Sequence, residues 1–308
     1  MFRTRFSLFA ALLVLTATSS AEASSVREQE TQSRSPECHN PNALGTSRIM
    51  DVGTSGGLDV GLKTYPQTLP LAGKEVVLTF DDGPMPGSTE KVLDALSAEC
   101  VRATFFVVGR NASEHPSLVR REIAEGHTVG HHSWSHPAKT LRGISEVAAQ
   151  AEIVRGISAV QEAAGGKPYS DGRPIVPFFR FPGFADTAPL NSWLQARDIA
   201  VFGTDLWASD WNPMSAAVEL RLVMQRLDHA RRGIILFHDT RPQTAEMLPA
   251  FLRELKARGY RVVHMVPGSG KSAVGAAPPG WTSETEAILT HVMPRLLKAS
   301  GPAAKHGM

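Results

Sequence analysis

Asp81 and Asp82 stand side by side where the apolar run Val76 to Phe80 ends and Gly83-Pro84 begins. Adjacent carboxylates at the end of a buried strand are costly unless a cation or a proton resolves them. A cation site lies downstream in the chain. His132 and His136, in His132-Ser133-Trp134-Ser135-His136-Pro137, have a spacing that lets two imidazoles converge on one metal. With Asp82 they form a candidate ligand triad, which leaves Asp81 to act as a base. The bland alternative for the histidine pair is a polar turn before Pro137. His127 and His131 read as structural. No Glu directly follows His132, so the general base of a zinc protease helix is missing.

Further motifs follow in order: Arg180-Phe181-Pro182, Asp210-Trp211 and Leu236-Phe237-His238. Together with Thr79 to Pro84 and His132 to His136, this series resembles the NodB-like polysaccharide deacetylases of carbohydrate esterase family 4, over roughly Lys74 to Val266. The resemblance implies Asp82, His132 and His136 as ligands of one divalent ion. Zinc is the first choice, but cobalt, nickel or iron suit the same donors. It implies Asp81 as general base, with Arg180 as the partner that orients it bidentately and holds its pKa down. His238 becomes the general acid and Asp210 its orienting partner. The backbone amide of Gly183, followed by Phe184, matches the oxyanion donor, and Leu236 matches the acetyl-methyl pocket.

The chain departs from the family pattern at two points. Gly183 stands where many members carry an aromatic residue, and Trp207 replaces an expected Asp, with Asp205 two residues too early. Trp134, Trp207 and Trp211 are candidate sugar-stacking faces, with core packing as the alternative for each.

The implied activity is removal of N-acetyl groups from N-acetylglucosamine units of a polysaccharide or oligosaccharide, with release of acetate. Three other readings compete with it: an O-acetyl esterase on acetylated xylan or another glycan, a silent glycan-binding protein of the same fold, and a phosphodiesterase or phosphatase, which lacks an evident phosphate cradle or second metal cluster.

The elements that must position these groups alternate. Apolar strand-length runs (Val76 to Phe80, Ala103 to Val108, His127 to Gly130, Phe178 to Phe181, Ala200 to Asp205, Ile234 to His238, Arg261 to Met265) are separated by amphipathic helix-length segments. Such alternation predicts parallel strands with helical crossovers, and the chemical residues fall at strand ends. The expected fold is therefore α/β, and the resemblance implies a distorted (β/α) barrel of about seven parallel strands.

The 308 residues carry a formal charge of +2, from 32 basic and 30 acidic side chains, which leaves no basic face for nucleic acid. Arg3 and Arg5, the apolar run Phe6 to Ala17 and Ala21-Glu22-Ala23 predict a signal peptide over 1–23, cleaved after Ala23. A retained anchor is the alternative to cleavage. The expected product is an exported monomer, periplasmic or secreted, without stable membrane insertion, whose partner is the glycan. A largely irregular leader is expected over 24–72, the deacetylase domain over 73–267, and a tail with one helix over 268–308. Cys38 and Cys100 are the two cysteines, and in an oxidising compartment they are a candidate disulfide, with two thiols as the alternative. Asn111-Ala112-Ser113 is a sequon without weight outside a glycosylating host.

Overall fold

The computed structural model describes residues 38, 40–166 and 173–299. The signal segment, most of the leader before residue 40 and the tail beyond 299 lie outside the described residues. No described helix is long and apolar enough to cross a membrane.

The expected strands and helices form. In chain order, β4 (Glu75–Asp81) is followed by α1 (Thr89–Ala98), β5 (Thr104–Val107), α2 (Gly109–Glu114) and α3 (Pro116–Ala124). Next come β6 (Thr128–His131), α4 (Glu146–Ala163), β7 (Phe178–Phe179), α5 (Ala188–Gln195), β8 (Ala200–Phe202) and β9 (Leu206–Trp207). The unit closes with α6 (Ala216–Ala230), β10 (Gly233–His238), α7 (Pro242–Ala257) and β11 (Arg261–Gly268). The strands pair in parallel, as helical crossovers require.

The residues expected to form an irregular leader differ from that reading where they are described. β1 (Thr46–Gly53) pairs in parallel with β11, and β2 (Leu58–Val60) pairs with β8, so both join one ten-stranded sheet. A short antiparallel pair links β3 (Gln67–Thr68) to β12 (Gly275–Ala276). β1 escapes a hydrophobic-pattern search because Arg48, Ile49 and Asp51 are exposed and only Met50, Val52 and Gly53 are buried.

Period-two alternation decides which residues reach the interior. On β4, Val76, Leu78 and Phe80 pack outward against Leu93 and Leu96 of α1 and Leu248 and Leu252 of α7. Val77 faces the opposite way, among Phe106, Phe178, Phe202, Ile234 and Val263. Thr79 and Asp81 share that inner face. By the same count, Ile234 points inward on β10, and Leu236 and His238 follow it. Phe178 points inward on β7, and Arg180 follows.

The β1 seam is held by charge as well as by the ladder. Glu75 accepts from Arg48 Nε at 3.0 Å and Nη2 at 2.7 Å, and from the Ala72 amide at 2.9 Å. The Arg48 guanidinium, working against burial, holds the Glu75 carboxyl down to about 2. A depressed carboxylate contributes stability that is full above the ordinary carboxylate range and is lost as pH falls through the folded value. Glu75→Gln is therefore expected to unfold about 1–2 kcal/mol more easily at pH 7, a figure discounted for the half-exposed arginine. Urea titrations at pH 7 and at pH 3 should show this difference narrowing in acid.

Cys38 and Cys100 form a disulfide, with Cα atoms 5.6 Å apart and a sequence separation of 62. Closing so long a loop restricts the unfolded chain, so reduction is expected to cost about 2–4 kcal/mol. Thermal unfolding of the native protein and of Cys38→Ser/Cys100→Ser would show the loss; equal midpoints would contradict it.

Candidate metal centre and its surroundings

The β4 strand delivers Asp81 to the interior, and the chain then turns sharply, with Asp82 at φ 77°. Asn111 at the start of α2 steadies that turn, donating from Nδ2 to the Asp82 carbonyl at 2.7 Å. Gly83 is required by space. A Cβ there would lie 2.0 Å from Asp239 Oδ2.

His132 follows the last residue of β6, and its Nδ1–H donates to the Arg180 carbonyl at 2.8 Å, leaving the Nε2 lone pair for the site. Burial, seconded by His136, pushes this imidazole down to about 3, so it is neutral, as a ligand must be. The loop to His136 is bound by Glu152 of α4, which accepts from the amide and hydroxyl of Ser135 at 2.9 Å and 3.0 Å. Helix α4 comes this close because residue 156 is glycine; a Cβ there would lie 2.4 Å from the Ser133 carbonyl carbon.

Asp82, His132 and His136 meet as a three-residue cluster whose candidate ligand atoms lie within 4.8 Å of one another. Asp82 Oδ1 is 3.5 Å from His132 Nε2 and 3.7 Å from His136 Nε2. That oxygen is buried and accepts no hydrogen bond. Two imidazoles and an oxygen that lacks a donor fit one divalent ion.

Asp81 sits beside the cluster, with Oδ2 3.9 Å from His132 Nε2. Its Oδ1 accepts from Arg180 Nη1 at 2.7 Å. Arg180 is fully buried and donates also to Thr79 Oγ1 at 2.8 Å, the Phe202 carbonyl at 3.0 Å and the Gly203 carbonyl at 2.9 Å. The grip on Asp81 is thus through one nitrogen rather than two, because Nε and Nη2 are spent on backbone carbonyls. The expected low pKa also differs: burial outweighs the arginine and raises the Asp81 carboxyl above its ordinary value.

Beside Asp81 on the neighbouring strand lies His238, the last residue of β10 and the register partner of Asp81. Asp210 Oδ1 accepts from its Nδ1 at 2.8 Å, and Asp210 Oδ2 accepts from its amide at 2.6 Å. Burial disfavours the imidazolium, but the Asp210 charge and hydrogen bond overcome it, with Asp82 and Asp81 adding to them, and His238 is pushed up to about 9. Thr244 Oγ1 donates to Asp210 Oδ2 at 2.9 Å and fixes that carboxylate.

Asp81, Asp82, His132, His136 and His238 line one cavity of about 320 Å³, shared with Gly183, Phe184, Trp207, Trp211, Leu236 and Arg241, while Arg180 and Asp210 are fully buried. Trp207 and Trp211 meet edge to face with centroids 5.6 Å apart. Trp134 does not line it and is instead covered by the Arg155 guanidinium at 3.7 Å. Asp205 is also outside, accepting from the Leu62 and Ile234 amides, each at 2.8 Å. His127 and His131 are buried in backbone hydrogen bonds, to the Ala103 amide and the Val176 carbonyl respectively. Asn111, Glu152 and Gly156 support the site without a sequence signal for that role, since the Asn111 sequon has no bearing on it. The C-terminal helix α8 (Glu284–Ala299), which the sequence presents as part of a tail, brings Thr285, Ile288 and Leu289 to the cavity lining.

Comparison with known proteins agrees with this geometry. The sequence profile described as polysaccharide deacetylase matches residues 69–184. A chitooligosaccharide deacetylase of Sinorhizobium fredii is 45% identical over 221 residues, covering 66% of this chain and 96% of that one. A peptidoglycan-N-acetylglucosamine deacetylase of Listeria monocytogenes is 34% identical over 190 residues, 62% of this chain, which spans only 38% of that relative's length. Among solved structures, a Bdellovibrio bacteriovorus peptidoglycan deacetylase superposes with a TM-score of 0.64 at 28% identity, covering 85% of this chain and 70% of that one. With two-thirds of this chain matched to almost the whole of the Sinorhizobium protein, and the ordered motifs gathered at one end of the parallel strands, the chain belongs to the polysaccharide deacetylase family.

Proposed function

We propose that this protein is an exported, metal-dependent hydrolase that removes N-acetyl groups from N-acetylglucosamine units of a glycan and releases acetate. The observation that carries the reading is the meeting of Asp81, Asp82, His132, His136 and His238 at one cavity, with the buried Arg180 bonded to Asp81 and the buried Asp210 bonded to His238. Export is supported by the signal-like amino terminus and the disulfide. Residues 73–267 are the catalytic domain in this reading.

Asp82, His132 and His136 would hold one divalent ion, zinc first, which when bound polarises the acetamide carbonyl and makes water more acidic. Asp81 takes the proton of the attacking water. Its position is fixed by Arg180, and a carboxyl raised by burial is a stronger base than an exposed one. The amide of Gly183 supplies a donor for the oxyanion, and Leu236 a wall for the acetyl methyl. His238, held protonated by Asp210, gives its proton to the departing amine as the carbon–nitrogen bond breaks. Trp211 and Phe184 supply faces for the sugar.

The same machinery attacks acetate esters, so the linkage is decided by assay. Acetate release from chitin oligomers, peptidoglycan and acetylxylan, measured side by side, is expected to be fastest on an N-acetylated glycan. Faster release from acetylxylan would overturn N-deacetylation in favour of the esterase. Glycan binding without release from any of them would indicate a silent binding protein.

A further inference from the structure

Helix α8 lies beyond the segment matched to the family, and so do Leu62 to Thr64, which precede it. These two segments hold each other beside the cavity that Thr285, Ile288 and Leu289 of α8 line. Trp281 Nε1 donates to the Leu62 carbonyl at 2.6 Å, and the Lys63 carbonyl accepts from the Thr285 amide at 2.9 Å and from Ser283 Oγ at 3.2 Å. Thr285 and Thr64 hydroxyls meet at 3.0 Å in a buried contact, and Lys63 pairs with Glu284 while its ammonium lies over the Trp207 ring at 5.2 Å. Two residues after Glu284, Glu286 Oε2 accepts from Arg142 Nη1 at 3.0 Å, and Arg142 Nε donates to the Asp186 carbonyl at 2.7 Å. Leu289 and Met293 then bury against Ala185, next to Phe184.

Covering apolar surface explains Leu289 and Met293 but not Ile288. That side chain lines the cavity and stays 48% exposed, as does Trp211 at 39%. Both are large apolar residues of one cavity lining, so a ligand bound there would cover apolar surface that is otherwise open to water. The cavity, at about 320 Å³, is near the lower end of the ~300–1,000 Å³ common for ligand pockets. It suits a single acetylated sugar with part of its neighbour. A long polymer threaded through its interior would need an open groove on both sides, and α8 occupies one rim.

We propose that α8 is a specificity wall: Ile288, with Thr285 and Leu289, confines the site to short oligosaccharides and chain ends, and excludes the interior of a polymer. The proposal rests on the deacetylase reading above. Ile288 acts by contact with the bound sugar in the cavity it lines together with Trp211. The Lys63–Glu284 and Arg142–Glu286 pairs keep the wall in place.

The test uses the full chain loaded with zinc, with three proteins compared: wild type, Ile288→Trp, and Glu284→Gln/Glu286→Gln. Rates are measured on chitin oligomers of two to five sugars and on a soluble chitin polymer, and oligomer binding is followed separately by tryptophan fluorescence. Ile288→Trp, which fills the mouth, is expected to raise KM for oligomers about tenfold with kcat and zinc content unchanged. The double variant is expected to raise the polymer-to-oligomer ratio of kcat/KM by a similar factor, about tenfold. Unchanged KM and unchanged ratio, or a wild type that attacks polymer interiors as readily as oligomers, would overturn the wall and leave the deacetylase reading standing. Oligomer binding weakened by Ile288→Trp in a protein that releases no acetate would overturn the deacetylase reading and leave the wall. Absence of both binding and release would overturn both. Ile288 is exposed, so its replacement should fold; Ile288→Ala, expected to widen acceptance toward polymer, repeats the test with a smaller side chain.

Discussion

Arg180→Leu is expected to lower the stability of the fold by about 3–5 kcal/mol and to abolish acetate release. Arg180 is fully buried, and its guanidinium serves four acceptors: Asp81, Thr79 and the carbonyls of Phe202 and Gly203. Leucine matches some of its volume and none of its donors. Two backbone carbonyls then lose partners, and Asp81 is left as a buried carboxylate without its cation. Burial already raises that carboxyl, and loss of the arginine raises it further, so Asp81 takes up a proton. A protonated Asp81 cannot serve as base. Urea unfolding should show the loss, and the variant that also carries Asp81→Leu should recover part of it, because an empty pair is cheaper than half a pair. Equal stability of Arg180→Leu and wild type would contradict the account.

The second large effect is on the chemical step alone. Asp81→Asn keeps an oxygen for the Arg180 hydrogen bond and leaves Asp82, His132 and His136 untouched, but it cannot accept a proton. Loss of a general base is worth roughly 10²–10⁴ in rate, so kcat should fall by about that factor while zinc content and oligomer KM change little. The readout is steady-state acetate release with the metal measured in the same sample. A kcat within about tenfold of wild type would remove Asp81 from the base role.

Much of this was legible because it is local. The alternation of apolar runs announced the parallel strands, and period two along β4 and β10 then sends Asp81 and His238 inward with no further information. The histidine pair is legible for the same reason, since its spacing lies within one loop. β1 was not legible: it is a half-exposed strand whose partner, β11, lies far downstream, and Arg48 spoils its apolar pattern while making its ion pair with Glu75. The single-nitrogen grip of Arg180 on Asp81 was hidden as well, because the competing acceptors are carbonyls at residues 202 and 203. Trp134 is as eligible for sugar as Trp211 from sequence alone, but it lies outside the cavity lining and under the Arg155 guanidinium. Helix α8 reads as a tail because its contacts at the cavity rim, such as Thr285 with Thr64, span 221 positions of chain. Amphipathic periodicity reports that a helix has an apolar face, not what that face meets.

The claim that the Asp82, His132, His136 cluster holds the ion on which deacetylation depends is tested most directly by acetate release from N-acetylglucosamine oligomers before and after chelation. The account predicts release that a chelator abolishes, that one equivalent of zinc or cobalt restores, and that His132→Ala lacks at any metal concentration. Release that persists in the chelated protein, or in His132→Ala at the wild-type rate, would contradict it.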